Sequence, residues 1–296
     1  MDTLPVAKTT SVESTGDPAS QGESRSVLVA PGTPEAAMFP SVFKALPPSY
    51  KPGEELTYSF KHKGITAGRA VLRVLDVPEP FNGHQVVKLD GVVETNTFAS
   101  LFYRLNNHSY SLIDAEKGFS RFYSIDLKEK RMQYLDTVEY NYDKGTGRYN
   151  RKEDGRDKST DFPLYGPVTD VASTVYYYRQ FSRLLVGDVI EVPLSTAKDV
   201  YLLRMKVDDK GLVKVRGLGT VKALKTVPFE GIQNGPAITK TGSSLWIEET
   251  THVPLRITLE LSSGSMTMYL TGAKNVMGLN ALDSKQLRAA KKEGYR

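Results

Sequence analysis

Leu56-Thr57-Tyr58-Ser59-Phe60, then Lys63-Gly64, then the β-prone run of residues 65–77, decides the class of fold. Leu56, Tyr58 and Phe60 are apolar at every second position, which puts them on one buried face of a pleated strand. Lys63-Gly64 has the chemistry of a tight turn, so residues 65–77 read as the antiparallel partner. Gly68 inside that partner marks a bulge or a close backbone approach. Downstream, Pro78-Glu79-Pro80-Phe81-Asn82-Gly83 is turn chemistry, and residues 84–95 repeat the strand pattern.

The same reading continues along the chain. Residues 97–105 crowd aromatic and aliphatic side chains on both faces and fit a short helix or a strand equally. Residues 109–114, 121–128, 132–142 and 148–152 read as strands, the last two joined by Asp143-Lys144-Gly145-Thr146-Gly147. The polar stretch 153–161 reads as a surface loop. After Pro167 the pattern predicts a helix, capped by Thr169 or Asp170 and running to Gly187, with Val171, Val175, Tyr178 and Phe181 facing the sheet. Strands return at 189–194, 200–207, 212–216, 221–227, 244–248, 255–261 and 265–271. Residues 280–293 read as a last helical segment, basic toward its C-terminal end as the helix dipole favours, with a fraying tip.

About twelve strands without helix–strand alternation argue against a parallel doubly wound sheet. The expected fold is mainly β: a single domain of curved antiparallel sheet, an open or half barrel wrapping one central helix. Residues 1–45 lack apolar periodicity and read as a disordered leader, which Leu46-Pro47-Pro48-Ser49-Tyr50-Lys51-Pro52-Gly53 connects stiffly to the fold. The domain then covers residues 46–275, and 276–296 form a basic helical tail.

Composition narrows function by exclusion. The 296 residues contain no cysteine, which removes disulfides, thiolate metal sites and a cysteine nucleophile. No apolar stretch is long enough to span a bilayer. The leader reads as the start of a mature chain whose export signal has been removed. Of the net charge of +5, residues 285–296 carry most, and the body is nearly neutral; dense basic character with interleaved aromatics is absent, so nucleic acid is not an expected partner.

Four histidines, His62, His84, His108 and His252, form no metal-ligand spacing and read as surface or turn residues. Ser243, Ser244, Ser262, Ser263 and Ser265 lie in no nucleophile elbow, and Gly217-Leu218-Gly219 reads as a hairpin rather than a dinucleotide loop. Asp114, Asp126, Asp136 and Glu139 lie on neighbouring predicted strands, where two carboxylates would suit general acid–base work, although solvated strand faces are the plainer reading. No catalytic residue, cofactor or metal is assigned.

The unusual feature is aromatic. Tyr176, Tyr177 and Tyr178 are consecutive, and three adjacent helical residues span about 200°, so at least one should line a groove or the surface. Tyr178 reads as core, while Tyr176 and Tyr177 are candidate ligand contacts. Trp246, alternating with Leu245 and Ile247, should face away from them, as a groove aromatic or a second core layer. Arg179 completes the candidate set; with Val175 and Arg183 at its i±4 places, it should pair across the fold.

Gly53-Glu54-Glu55-Leu56-Thr57-Tyr58 followed by Gly64-Ile65-Thr66-Ala67-Gly68-Arg69-Ala70 resembles the opening of the bacterial exported family catalogued as domain of unknown function 3108. Residues 170–179 resemble that family's helix, with Ala172 where the family commonly has leucine. Leu218-Gly219-Thr220-Val221-Lys222-Ala223 resembles its Gly-Thr strand, and Leu245-Trp246-Ile247 with Pro254-Leu255-Arg256-Ile257 its terminal hairpin. The resemblance runs in order over roughly residues 50–272. It implies an exported, periplasmic β-sheet protein of Gram-negative type and no reaction. The leading expectation is a non-enzymatic envelope protein that binds an apolar or amphipathic ligand, or a partner chain, in a groove of the sheet; lipid, glycan and another envelope protein are the partner classes. The alternatives are a polysaccharide hydrolase or lyase using a carboxylate pair, and a scaffold.

Overall fold

β1 (Glu55–His62) and β2 (Ile65–Asp76) pair antiparallel about Lys63 and Gly64, whose φ angles of 48° and 81° belong to the tight hairpin turn that twisted strands prefer. The structure, a computed structural model, describes residues 49–100, 104–129, 132–229, 240–261 and 264–296; the expected leader lies outside the described residues. Leu56, Tyr58 and Phe60 are all buried, as their alternation requires. Phe60 stands opposite Gly68, where the register shifts, and a Cβ on Gly68 would sit 2.1 Å from the Glu94 carbonyl oxygen and 2.5 Å from the Phe60 ring. The glycine is there because the aromatic ring and β3 occupy its side-chain space.

From this hairpin one meander runs outward through β3 (Val86–Thr95), β4 (Asn106–Asp114), β5 (Ser120–Glu129), β6 (Met132–Asn141), β7 (Thr146–Glu153) and β8 (Arg156–Pro163). A second comprises β10 (Val189–Thr196), β11 (Asp199–Val215), β12 (Gly219–Pro228), β13 (Ser244–Glu248), β14 (Pro254–Leu261) and β15 (Gly264–Lys274). β15 pairs with β1, and the two-residue β9 (Thr169–Asp170) adds parallel to β10, so that the described residues form one curved, open sheet of 15 strands. The chain is mainly β, as expected.

Several elements differ from the sequence reading. The stretch 153–161, expected as a loop, contains β8, whose side chains are all exposed except Phe162; an edge strand wetted on both faces leaves no apolar alternation to read. The two strands expected at 200–207 and 212–216 are one, β11, because a register shift between Val207 and Asp209 absorbs the polar interruption. In 97–105, a single helical turn, α1 (Thr97–Ser100), is described. The expected tail helix is α3 (Ser284–Lys292), opened by a capping box between Asp283 and Gln286. Its tip does not fray: Tyr295 is buried and the Arg296 carbonyl accepts from the Leu212 N–H at 2.8 Å.

The long central helix is the main correction. It reduces to α2 (Thr174–Tyr177) and a 3-10 turn over Tyr178–Gln180, after which Phe181 is extended. Val171, expected to face the sheet, is exposed. Valine, threonine and tyrosine form helices poorly. In addition, the Arg179 carbonyl accepts from Ser49 Oγ at 2.8 Å, in place of a helical N–H one turn further on.

Among the described residues the interior divides into three clusters. The first surrounds Leu56, Tyr58, Val74, Ile113 and Tyr176. The second gathers Tyr177, Tyr178, Met205, Leu224 and Ile247. The third, Tyr123, Val138, Tyr140, Phe162 and Val168, lies where the β8–β9 connection folds back over β5.

Candidate functional site

Asp170 sits where the β9 edge of the sheet meets the middle of the other meander. It is fully buried. Its Oδ1 accepts from Ser111 Oγ at 2.6 Å and from the backbone N–H of Ala172 and Ser173 at 2.8 and 2.9 Å, and its Oδ2 accepts from Ser120 Oγ at 2.6 Å. Ser111 comes from β4 and Ser120 from β5, so one side chain ties three elements together. Burial pushes its carboxyl above the usual range, against the pull of these donors. Its whole acceptor capacity is used in holding the sheet in its curl, which leaves no face toward solvent.

The tyrosine triplet next to it overturns the argument that one member must reach the surface. Tyr176, Tyr177 and Tyr178 are 1%, 4% and 2% exposed. Three adjacent residues cannot enter one core, but these enter two: Tyr176 joins the first cluster, and Tyr177 and Tyr178 the second. Tyr177 Oη also donates to the Glu191 carbonyl at 3.1 Å. As ligand contacts, Tyr176 and Tyr177 would need the cores to open.

Arg179 pairs across the fold. Its guanidinium meets the Glu54 carboxylate, 125 residues earlier, with both side chains about 2% exposed. Tyr50 lies edge-on to Tyr176, at 4.9 Å between ring centroids, beside that pair. Burial raises the Glu54 carboxyl, and the Arg179 hydrogen bond opposes the shift. The pair fastens the lead-in at Ser49–Glu54 to the 3-10 turn. The partner was invisible in sequence, since nothing local connects Glu54 with Arg179.

The four candidate carboxylates do not converge. Asp114 is held by the Arg121 guanidinium at 2.7 Å and by the Lys117 N–H at 2.8 Å. Burial raises its carboxyl, but those donors outweigh it and leave it below the usual range. Asp136 takes two hydrogen bonds from Arg151 and one from Tyr149 Oη. Asp126 pairs with Lys128, and Glu139 accepts from Asn82. Among the described residues, no group of three or more His, Asp or Glu side chains is disposed to hold a metal ion. His252 is a turn residue, as expected, but a buried one.

Trp246 behaves as its alternation predicts. Leu245 and Ile247 enter the second cluster, while Trp246 is half-buried against the first and faces the Arg256 guanidinium. Its cross-strand partner on β12 is Lys225. Lys225 in turn lines a cleft of about 400 Å³ at the end of β12 and the start of β13, with Val227, Pro228, Phe229, Thr241, Gly242, Ser243 and Ser244. Val227, Pro228 and Phe229 make an apolar wall. Thr241, Ser243 and Ser244 bring hydroxyls, and the Lys225 ammonium, 3.7 Å from Asp208, brings a cation. Of the sequence candidates, only Trp246 stands beside this cleft. The signal that would have found it is Val227-Pro228-Phe229, an apolar run closing a strand, followed by a hydroxyl-rich return.

The family model described as Protein of unknown function (DUF3108) matches residues 55–271. A solved structure from Brucella abortus, a beta-barrel-like protein of domain of unknown function DUF1849, is similar at 10% identity and a TM-score of 0.47, covering 78% of this chain and 98% of its own. Another, from Bacteroides fragilis, is a candidate exported protein with a YmcC-like fold; it is similar at 9% identity and a TM-score of 0.32, covering 78% of this chain and 100% of its own. No curated protein matches the chain.

Proposed function

We propose, from the premise that this chain belongs to the DUF3108 family, a non-enzymatic protein of the periplasm that binds an amphipathic ligand with an anionic head in the cleft between β12 and β13. The observation that carries this reading is the composition of the cleft: apolar Val227, Pro228 and Phe229 together with Lys225 and three hydroxyl side chains, in about 400 Å³. That volume lies within the range of small-molecule sites, which are apolar with a few placed polar groups. Each methylene buried there contributes about 0.8 kcal/mol. A short tail of four or five methylenes therefore gives only about 3–4 kcal/mol, and micromolar affinity requires the cation and hydroxyls to hold the head group.

The test uses Trp246, the one tryptophan of the chain, as reporter. Fatty acids, lysophospholipids and neutral oligosaccharides are titrated while its fluorescence is followed. Saturable change with the anionic amphiphiles, weakened by Lys225→Gln and by Phe229→Ala, is expected. A flat signal across the panel, together with envelope-purified protein that carries no small molecule in native mass spectrometry, would end this reading.

A partner-chain reading is favoured by a different observation. Leu185 and Val186 are each 50% exposed and Val189 44%, all at the turn into β10. A photo-crosslinking residue placed at Val186 should then give one discrete adduct in cells that Leu185→Lys abolishes. No adduct, or an adduct indifferent to Leu185→Lys, removes this second reading.

A further inference from the structure

The segment from residue 275 onward is anchored unusually well for a basic tail. Leu282 N–H donates to the Thr220 carbonyl and Leu212 N–H to the Arg296 carbonyl, each at 2.8 Å, so the segment is fixed to β12 at its start and to β11 at its end. Between those points Ala290 is fully buried. Tyr295 is buried under the ammonium groups of Lys210 and Lys222, 4.6 and 4.7 Å from its ring centroid, and its hydroxyl donates to Glu249. Glu293, the acidic residue among 285–296, is turned onto Lys222 at 2.6 Å. Its carboxyl is held below the usual range by that hydrogen bond.

What this anchoring leaves facing outward is cationic. Lys285, Arg288, Lys291 and Lys292 are all exposed. At 100° per residue they fall within an arc of about 120°, and Ala290 lies about 160° from its centre. The basic residues therefore form a ridge on the side of α3 away from the sheet, with Arg296, also exposed, just beyond its end. Of the nearby carboxylates, Glu249 and Glu293 are occupied with Tyr295 and Lys222 on the inner side, and Asp283 caps the helix, accepting from the Lys285 and Gln286 N–H groups.

We propose that α3 is a docking ridge for the surface of an anionic phospholipid bilayer. A row of four cations on one exposed helical face, held rigidly, complements a plane of phosphate groups and needs no groove. The ridge carries no aromatic residue to stack on bases, which distinguishes it from a nucleic-acid face. Ala289 and Leu287 offer too little apolar surface for insertion, so the contact is electrostatic and salt-sensitive.

The experiment is co-sedimentation of the full chain with vesicles containing phosphatidylglycerol, against vesicles of phosphatidylcholine alone, at low and at high salt. Binding to the anionic vesicles only, lost at high salt, is expected. Each neutralised cation should weaken it about fivefold, so a Lys285→Gln, Arg288→Gln, Lys292→Gln variant should bind about a hundredfold more weakly. A charge-matched variant at the β8 edge of the sheet, Lys152→Gln, Arg156→Gln, Lys158→Gln, should bind as the unaltered protein does. All six side chains are exposed, and an unchanged melting temperature confirms that each variant is folded. No binding to anionic vesicles, equal losses in the two variants, or tighter capture by duplex DNA than by the vesicles would each overturn the proposal.

Discussion

Replacing Asp170 should separate the part of its role that depends on shape from the part that depends on charge. In Asp170→Ala the backbone N–H groups of Ala172 and Ser173 and the hydroxyl of Ser111 lose their acceptor, while Ser120 Oγ can turn to Ser173 Oγ, already 2.9 Å away. A buried donor without a partner costs about 1–3 kcal/mol. Taking about 2 for Ser173 and Ser111, about 1 for half-buried Ala172, and subtracting the desolvation that the removed carboxylate no longer suffers, the net loss is about 3–4 kcal/mol. Asp170→Asn keeps Oδ1 with its three donors and presents an NH₂ to Ser120 Oγ, which can accept; its loss should stay near 1 kcal/mol. Urea unfolding at neutral pH measures both, provided the slopes agree. The reasoning fails if the two variants lie within about 1 kcal/mol of each other, because the charge, not the acceptor geometry, would then be the operative property.

Breaking the buried Arg179–Glu54 pair by Arg179→Ala should cost about 3–5 kcal/mol, and the double variant Glu54→Leu, Arg179→Met should recover much of it, because an uncompensated charge is worse than none; equal melting temperatures for wild type and Arg179→Ala would contradict this. Burial holds the His252 imidazole below its usual pKa, against the nearby Glu248 charge. As pH falls below about 6.5 the unfolded chain takes up a proton that the folded ring refuses, so stability should fall from about pH 7.5 to about pH 5.5. His252→Asn, which tolerates the φ of 52°, should flatten that part of the profile; an unchanged slope places the titration elsewhere. Gly68→Ala should cost about 1–3 kcal/mol through the clash with Phe60 and Glu94, whereas Gly64→Ala, with open space around it, should cost only the strain of its φ, about 1–2 kcal/mol; thermal melts that rank them the other way would refute the packing argument.

The strands legible in sequence are those with one wet and one dry face. Leu56, Tyr58 and Phe60 declare β1 because solvent and core alternate along it. β8 buries Phe162 alone and carries no such signal. The segment 171–186 misled for a related reason: its apolar spacing fits a helix, but the spacing arises from side chains sent to two different cores, with Arg179 sent to a partner in the lead-in. That Arg179 must pair at long range was readable from its neighbours; that the partner is Glu54 was not, because only the folded chain brings them together. Trp246 was read correctly as facing away from Leu245 and Ile247, since alternation is a local property. The cleft beside it is assembled by strand ends separated by the 229–241 connection, and no periodicity encodes that juxtaposition.

The order of strands carries a consequence for biogenesis. β1 has two neighbours, β2, made immediately after it, and β15, made last. Glu55 pairs with Lys274 and His62 with Met266, so the seam that completes the sheet joins the first of the described strands to the last. Until β15 arrives, β1 presents an open edge behind which Leu56, Tyr58 and Phe60 lack half their cover, and such edges recruit other chains. Closing a loop of this length is slow relative to forming hairpins. The chain is therefore most exposed to aggregation until its synthesis is complete, and a holding chaperone that covers a single strand, β1, would protect it.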